Sequence, residues 1–153
     1  MPLDSLLSHG AVIPALKATS KKLLFQELAR ASTDLCGVDE RTIFEALLER
    51  EDLGATSVGE GVAIPHARLP DIDKIYGFFA RLVEPIDFGA DDGEMVDLVF
   101  MLLAPEAANA MHLRALAKIS RTFKQPEFRA NLRGADGAEA LYMMLTERHV
   151  RAA

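Results

Sequence analysis

The sequence predicts an α/β protein: a single domain with a mixed, largely parallel β-sheet and helices on both faces. Three observations carry this reading. Two nearly continuous apolar runs, Ile75 to Val83 and Asp97 to Ala104, have the pattern of strands covered on both faces. Segments with helical apolar spacing flank them, so strands and helices interleave along the chain. The 153 residues are half apolar, which suits one core and argues against disorder; roughly two-thirds of the unfolded surface can be buried at this length. No repeat, low-complexity segment or linker divides residues 1–153.

Each element has a local reason. Val12 to Leu16 reads as a short strand broken by Pro14. Ser20 caps a helix over about 21–34, with Leu24, Leu28 and Ala31 on one face, and Gly37 ends it. Asp39 is the next N-cap, with Val38 and Ile43 placed as a hydrophobic staple. That helix carries Ile43, Phe44, Leu47 and Leu48 inward and ends near Arg50. Gly54, Gly59 and Gly61 mark an irregular connection, and Val62 to Ile64 is a short strand leading to His66. Between the two long strands, "EPIDFGADDGE" is acidic and turn-rich, a loop or a small hairpin. A helix over about 109–123 follows, its buried stripe read as Leu113, Leu116, Ala117, Ser120 and Phe123. A short helix starts at Pro126, a natural first helical position, and a last one spans about 138–149 after Gly134 and Gly137.

Composition narrows the function. The single Cys36 excludes an internal disulfide and a thiolate metal cluster, which suits a reducing cytoplasm. Residues 1–30 lack the order of a signal peptide. The longest apolar run, Leu98 to Ala104, falls far short of the roughly 20 residues that cross a bilayer. Direct membrane insertion is not expected. The net charge is −6 and the basic residues form no dense cluster, so nucleic acid is a poor partner and a basic protein surface a better one.

Two of the four histidines stand out. Pro65 fixes its own φ and holds Ile64 extended, so the backbone entering His66 is stiff. Its missing N–H should stop the strand there and leave the imidazole exposed at a strand end. His112 lies in the first turn of the 109–123 helix, on its apolar side, just beyond the strand that ends at Ala104. In a largely parallel sheet both histidines reach one edge, where α/β sites form. Taken alone, each also has a structural reading. Arg50 favours the negative end of its helix; Arg68, Thr56 and Ser57 read as loop residues. His9 and His149, near the chain ends, read as surface. Gly59 and Gly61 lack a full phosphate loop, and no G-x-S-x-G elbow is present. Two histidines without a nearby third ligand make a weak case for zinc, and no metal is expected. No cofactor is expected.

The run "LLEREDLGATSVGEGVAIPHARLPDI" resembles the active-site segment of enzyme IIA of the bacterial phosphotransferase system, fructose/mannitol type. "EPIDFGADDGEMVDLVFMLLAPEAANAMHLRALAKISRTF" and "VIPALKATSKKLLFQELA" are similar to the rest of that domain, over about residues 6 to 147. Within the group the chain most resembles the stand-alone nitrogen-regulatory IIA proteins. The resemblance implies that His66 accepts a phosphoryl group from a histidine phosphocarrier protein (HPr-like, nitrogen branch). It also implies that His112 is the neighbouring active-site histidine, that Arg50 stabilises the phosphoryl group, and that the phosphorylation state controls partners such as transporters or kinases. A sugar-specific IIA feeding a permease IIB domain, and a non-catalytic α/β binding module, are the competing readings. The chain departs from the family at Gly54-Ala55-Thr56-Ser57-Val58-Gly59, where Thr56 takes the family's serine position. Thr56, Ser57 and Arg68 are therefore only candidate phosphate contacts. For docking, the expectation is an apolar patch near Ile64 and Leu69 edged by Glu60, Asp87, Asp91, Asp92 and Glu94.

Overall fold

The computed structural model describes residues 3–146. Two short 3-10 turns at Leu3–Ser5 and His9–Ala11 lead into strand β1, Val12–Leu16. Pro14 does not break it. β1 is an edge strand paired only with β5, in parallel, and the register shifts between Ile13 and Leu16, so a missing N–H on the open side costs no ladder bond. Helix α1, Lys21–Cys36, runs two residues past the expected end. Ser20 caps it by accepting the Leu23 N–H, and Gly37 closes it in the left-handed conformation at φ 78°. Helix α2, Glu40–Asp52, starts at Asp39, whose carboxylate accepts the Thr42 N–H, and the staple residues Val38 and Ile43 are buried.

The glycine-marked connection is in fact a hairpin. Strands β2, Ser57–Gly59, and β3, Val62–Ala63, pair antiparallel across a turn in which Gly59, Glu60 and Gly61 all have positive φ. A side chain on Gly61 would also collide with Arg133 and Asp97, which pair with each other beneath the turn. The chain then re-enters the sheet as β4, His66–Leu69. Strands β5, Tyr76–Ile86, and β6, Val96–Pro105, form a long antiparallel pair. "EPIDFGADDGE" closes that pair, and its Phe88 is buried edge-on against Phe25 of α1.

Among the described residues the sheet has six strands in the order β1-β5-β6-β3-β2, with β4 following β3 along the same edge of β6. The pairings β1–β5, β3–β6 and β4–β6 are parallel. All of Leu98 to Ala104 is inaccessible to solvent, so both sheet faces are covered. On one face Phe79 and Phe100, opposite each other across β5 and β6, receive Phe123 of helix α3, Asn109–Phe123, at centroid distances of 6.2 and 6.0 Å. Phe123 also meets Phe128 of helix α4, Pro126–Arg133, edge-on at 5.3 Å. Each such pair adds about 0.5–1.5 kcal/mol beyond area burial. Helix α5, Ala138–Thr146, packs on β1; the rest of the expected 138–149 helix, with His149, lies outside the described residues. His9 is exposed and stacks on Tyr142.

The stripe on α3 is rotated by about one residue from the expected one. His112, Ala115, Ile119, Thr122 and Phe123 are buried, while Leu113 is 69 % and Ala117 also exposed. Adjacent apolar stripes, through 112 and 113, both fit the helical period, and the packing of Phe123 and Ile119 selects the first. Among the described residues no helix is long and apolar enough to cross a membrane.

Candidate active site

His66 is half-buried and begins β4, where the expectation was an exposed residue beyond the end of a strand. The strand is interrupted for two residues only, Ile64 and Pro65. The Ile64 N–H donates to the Thr56 carbonyl at 3.0 Å, and the Pro65 carbonyl accepts the Leu102 N–H at 3.0 Å, so the dipeptide before His66 is clamped from both sides. His66 Nδ1 lies 2.9 Å from the Ile64 carbonyl oxygen. A carbonyl only accepts, so Nδ1 carries the ring proton and Nε2 holds the lone pair. Arg50, in the last turn of α2, donates from Nε to that Nε2 at 3.1 Å and from Nη1 to the Gly54 carbonyl at 3.0 Å.

His112 arrives from the first turn of α3 and stands edge-on to His66, with centroids 5.4 Å apart and planes at 82°. It is 6 % exposed, and its Nε2 has no hydrogen-bond partner. An orphaned polar atom of this kind is costly unless a ligand or water meets it. Burial, then the neighbouring His66 and Arg68, lower the pKa of His112 to about 4. Burial is also the main force lowering the pKa of His66, with Arg50 and Arg68 acting in the same sense against the Ile64 carbonyl and Glu51. Both imidazoles are neutral near pH 7. Arg68 of β4 reaches the Asn109 side chain and ties the strand to α3. Together these groups line a cleft of about 570 Å³, with Arg50, His66, Arg68, Asn109 and His112 on its walls and Leu113 at its edge.

Thr56 and Ser57 do not join that cleft. Thr56 is buried, and its N–H and hydroxyl donate to the Glu51 carboxylate at 3.0 and 2.7 Å. Ser57 lies in β2. Sequence reasoning missed Glu51, which also accepts from Lys21 Nζ at 2.9 Å, and Asn109. Glu51 had a signal: it continues the buried stripe of Ile43 and Leu47 on α2, and an acid on an apolar stripe is seldom left unpaired.

The expected docking patch is not there. Ile64 and Leu69 are 3 % and 1 % exposed, because both side chains point into the core. The apolar side chains displayed at the cleft are Leu53, 84 % exposed, and Leu113. The acidic group sits elsewhere: Glu60 donates its N–H to Asp92 at the β2–β3 turn, beside Asp97 of β6. His66 pairs with Leu102, about 16 Å further along the strand at roughly 3.3 Å per residue.

A family model described as "Phosphoenolpyruvate-dependent sugar phosphotransferase system, EIIA 2" matches residues 5–148. A nitrogen regulatory protein of Bradyrhizobium diazoefficiens is 52 % identical over 145 residues, covering 95 % of both chains. One from Pseudomonas aeruginosa is 39 % identical over 146 residues, also covering 95 % of each. The crystal structure of the nitrogen regulatory protein IIA-Ntr from Neisseria meningitidis superposes with a TM-score of 0.88 at 37 % identity, over 93 % of this chain and 97 % of that one. With that fold and these matches along almost its whole length, the chain belongs to the type-2 enzyme IIA family of the phosphotransferase system and is a phosphotransferase component.

Proposed function

We propose that His66 accepts a phosphoryl group on Nε2 from a histidine phosphocarrier protein and that the resulting phosphoprotein serves a nitrogen-related regulatory branch of the system. The observation that carries this is the tautomer of His66. Its proton is held on Nδ1 by the Ile64 carbonyl, and its lone pair faces a cleft walled by Arg50, Arg68 and His112.

The step follows from those positions. Nε2 attacks phosphorus in line as the bond from phosphorus to the carrier's imidazole nitrogen breaks. That bond's electron pair leaves with the carrier's ring, which departs neutral. Nδ1 of His66 keeps its proton, and the Ile64 carbonyl offsets the positive charge the ring gains. No proton crosses the interface and no cofactor takes part. Arg50 leaves Nε2 and, with Arg68, faces the equatorial oxygens, whose charge needs fixed donors. His112 turns its unpartnered Nε2, as an N–H, toward the same oxygens. The phosphoramidate stays transferable because imidazole is a good leaving group.

The regulatory role is supported by the relatives' names, nitrogen regulatory protein in each of the three compared. The reading places the protein in the cytoplasm, with transporters or kinases as classes of regulated target. The test is incubation with a phosphorylated carrier, then mass and stability analysis. A single acid-labile, alkali-stable phosphoryl adduct supports phosphocarrier chemistry, and no adduct supports a non-catalytic binding module. Rapid onward transfer to a fructose- or mannitol-type IIB domain would replace the regulatory role with sugar transport.

A further inference from the structure

Among the described residues Glu51 is the one buried carboxylate. Such a group is costly unless it is both paired and hydrogen-bonded, and Glu51 is fully employed. Oε2 accepts from Lys21 Nζ at 2.9 Å and from the Thr56 N–H at 3.0 Å; Oε1 accepts the Thr56 hydroxyl at 2.7 Å. Lys21 comes from the first turn of α1, so the bond also locks α1 to the end of α2.

The bonds continue from Thr56 to the nucleophile. The Thr56 carbonyl accepts the Ile64 N–H, and the Ile64 carbonyl accepts from His66 Nδ1. Between them Pro65 is buried and tied to Leu102 of β6. Where the Ile64 carbonyl points is thus decided on one side by β6 and on the other by Glu51. Glu51 does not line the cleft. It reaches His66 through this chain of bonds and through its charge, which raises the pKa of His66 against the lowering by burial. Thr56→Val, which keeps the charge, separates the two routes.

We propose that Glu51, braced by Lys21, is a positioning residue that holds the Thr56–Ile64 bridge so that the Ile64 carbonyl keeps the proton of His66 on Nδ1 and leaves Nε2 as the nucleophile. This rests on the reading of His66 as the phosphoryl acceptor. A pure anchoring role would affect stability alone; positioning predicts a change in the ring itself. For metal-bound imidazoles, loss of the orienting partner costs roughly 10- to 100-fold in function, and an effect of that order is expected here.

The experiment records ring ¹⁵N shifts of His66 near neutral pH, assigned by difference with His66→Gln. The samples are the wild-type chain, Glu51→Gln and Thr56→Val, with single-turnover acceptance from a phosphorylated histidine phosphocarrier measured in parallel. The wild type should show the Nδ1–H tautomer. In Glu51→Gln a single amide oxygen replaces two carboxylate oxygens and the charge is lost. Either the Thr56 hydroxyl meets the NH₂ and must turn to accept, or Lys21 and the Thr56 N–H lose their acceptor. The shifts should therefore move toward a mixture of tautomers, and acceptance should slow by about tenfold or more with the KM for the carrier unchanged. Thr56→Val, which keeps the Thr56 N–H bond, should give a smaller change of the same kind. A folded Glu51→Gln with the wild-type tautomer and rate overturns the proposal. If that variant fails to fold, Thr56→Val decides, and an unchanged ring and rate there overturn it equally. Should the wild type take no phosphate from the carrier, the acceptor reading falls, and the ring shifts still test the positioning role by themselves.

Discussion

Arg50 Nε donates to His66 Nε2 at 3.1 Å, so the lone pair that faces the cleft is covered by the cation nearest to it. In the proposed mechanism, covering the lone pair and stabilising the phosphoryl group are two positions of this one side chain. Its second bond, from Nη1 to the Gly54 carbonyl, anchors the guanidinium while Nε is free to turn from nitrogen to phosphoryl oxygen. Two opposed effects follow from its removal. The lone pair is uncovered and the basicity of His66 rises, since Arg50 lowers its pKa; the oxygens lose a fixed cation. The second effect dominates because a preorganised donor is worth roughly 10²–10³ in rate. Arg50→Ala should therefore accept phosphate about 100-fold more slowly while its His66 titrates at higher pH. Stopped-flow transfer and an NMR titration check both; a faster variant would make Arg50 only an inhibitor.

His112 should assist transfer without receiving the phosphoryl group. His112→Ala is expected to slow acceptance by about 100-fold and still yield phospho-His66. An unchanged single-turnover rate would return His112 to a packing role.

The depressed pKa of His112 has a consequence for stability. A ring that titrates at about 4 in the folded chain and near 6.5 unfolded binds fewer protons when folded. Its contribution is therefore complete above the unfolded value, falls as pH drops from about 6.5 to 4, and is gone below. The loss is at most about 3 kcal/mol over that window, and His66, shifted the same way, adds to it. Urea unfolding across the window should show a shallower pH dependence in His112→Gln. Equal slopes in the two proteins would contradict a buried, neutral His112.

Phosphorylation should reverse that shift. A phosphoryl group on His66 brings close to two negative charges beside a ring 5.4 Å away, and nearby negative charge favours imidazolium. The His112 titration should move up on phosphorylation, as seen by NMR. An unmoved titration would put the phosphoryl group beyond its reach.

Much of the fold was legible because its signals are local. The capping residues Ser20 and Asp39, the left-handed Gly37 and the nearly continuous apolar runs of β5 and β6 each depend on a few neighbours. Strand β3 was legible as the short run Val62 to Ile64, but its hairpin partner β2 and strand β4 were not: strands of three and four residues bordered by Gly59, Pro65 and Pro70 carry almost no period. The phase of α3 was missed by one residue, since stripes through His112 and Leu113 are both apolar and only Phe79 and Phe100 across the interface choose. At the site, His66, His112, Arg50 and Arg68 do converge. Thr56 does not, because its hydroxyl is taken by Glu51, a contact with no trace in a motif.

Docking should depend on the apolar side chains at the cleft and not on the distant acids. Leu53→Asp and Leu113→Asp, both at exposed positions, should lower kcat/KM for acceptance from the carrier with little loss of stability. Neutralising Asp91 and Asp92 should leave the rate and its salt dependence as they are, because that loop lies at the other end of β6 from His66. A flattened salt profile in the Asp91/Asp92 variant would bring the acidic loop back to the docking face.

The most direct measurement is the site and stoichiometry of phosphate after reaction with a phosphorylated carrier, read by ³¹P–¹⁵N coupling and intact mass on the wild type and His66→Ala. One phosphoryl group bonded to Nε2 of His66, absent from a folded His66→Ala, is the predicted result. Undiminished uptake by His66→Ala, or phosphorus on Nδ1, would contradict the account.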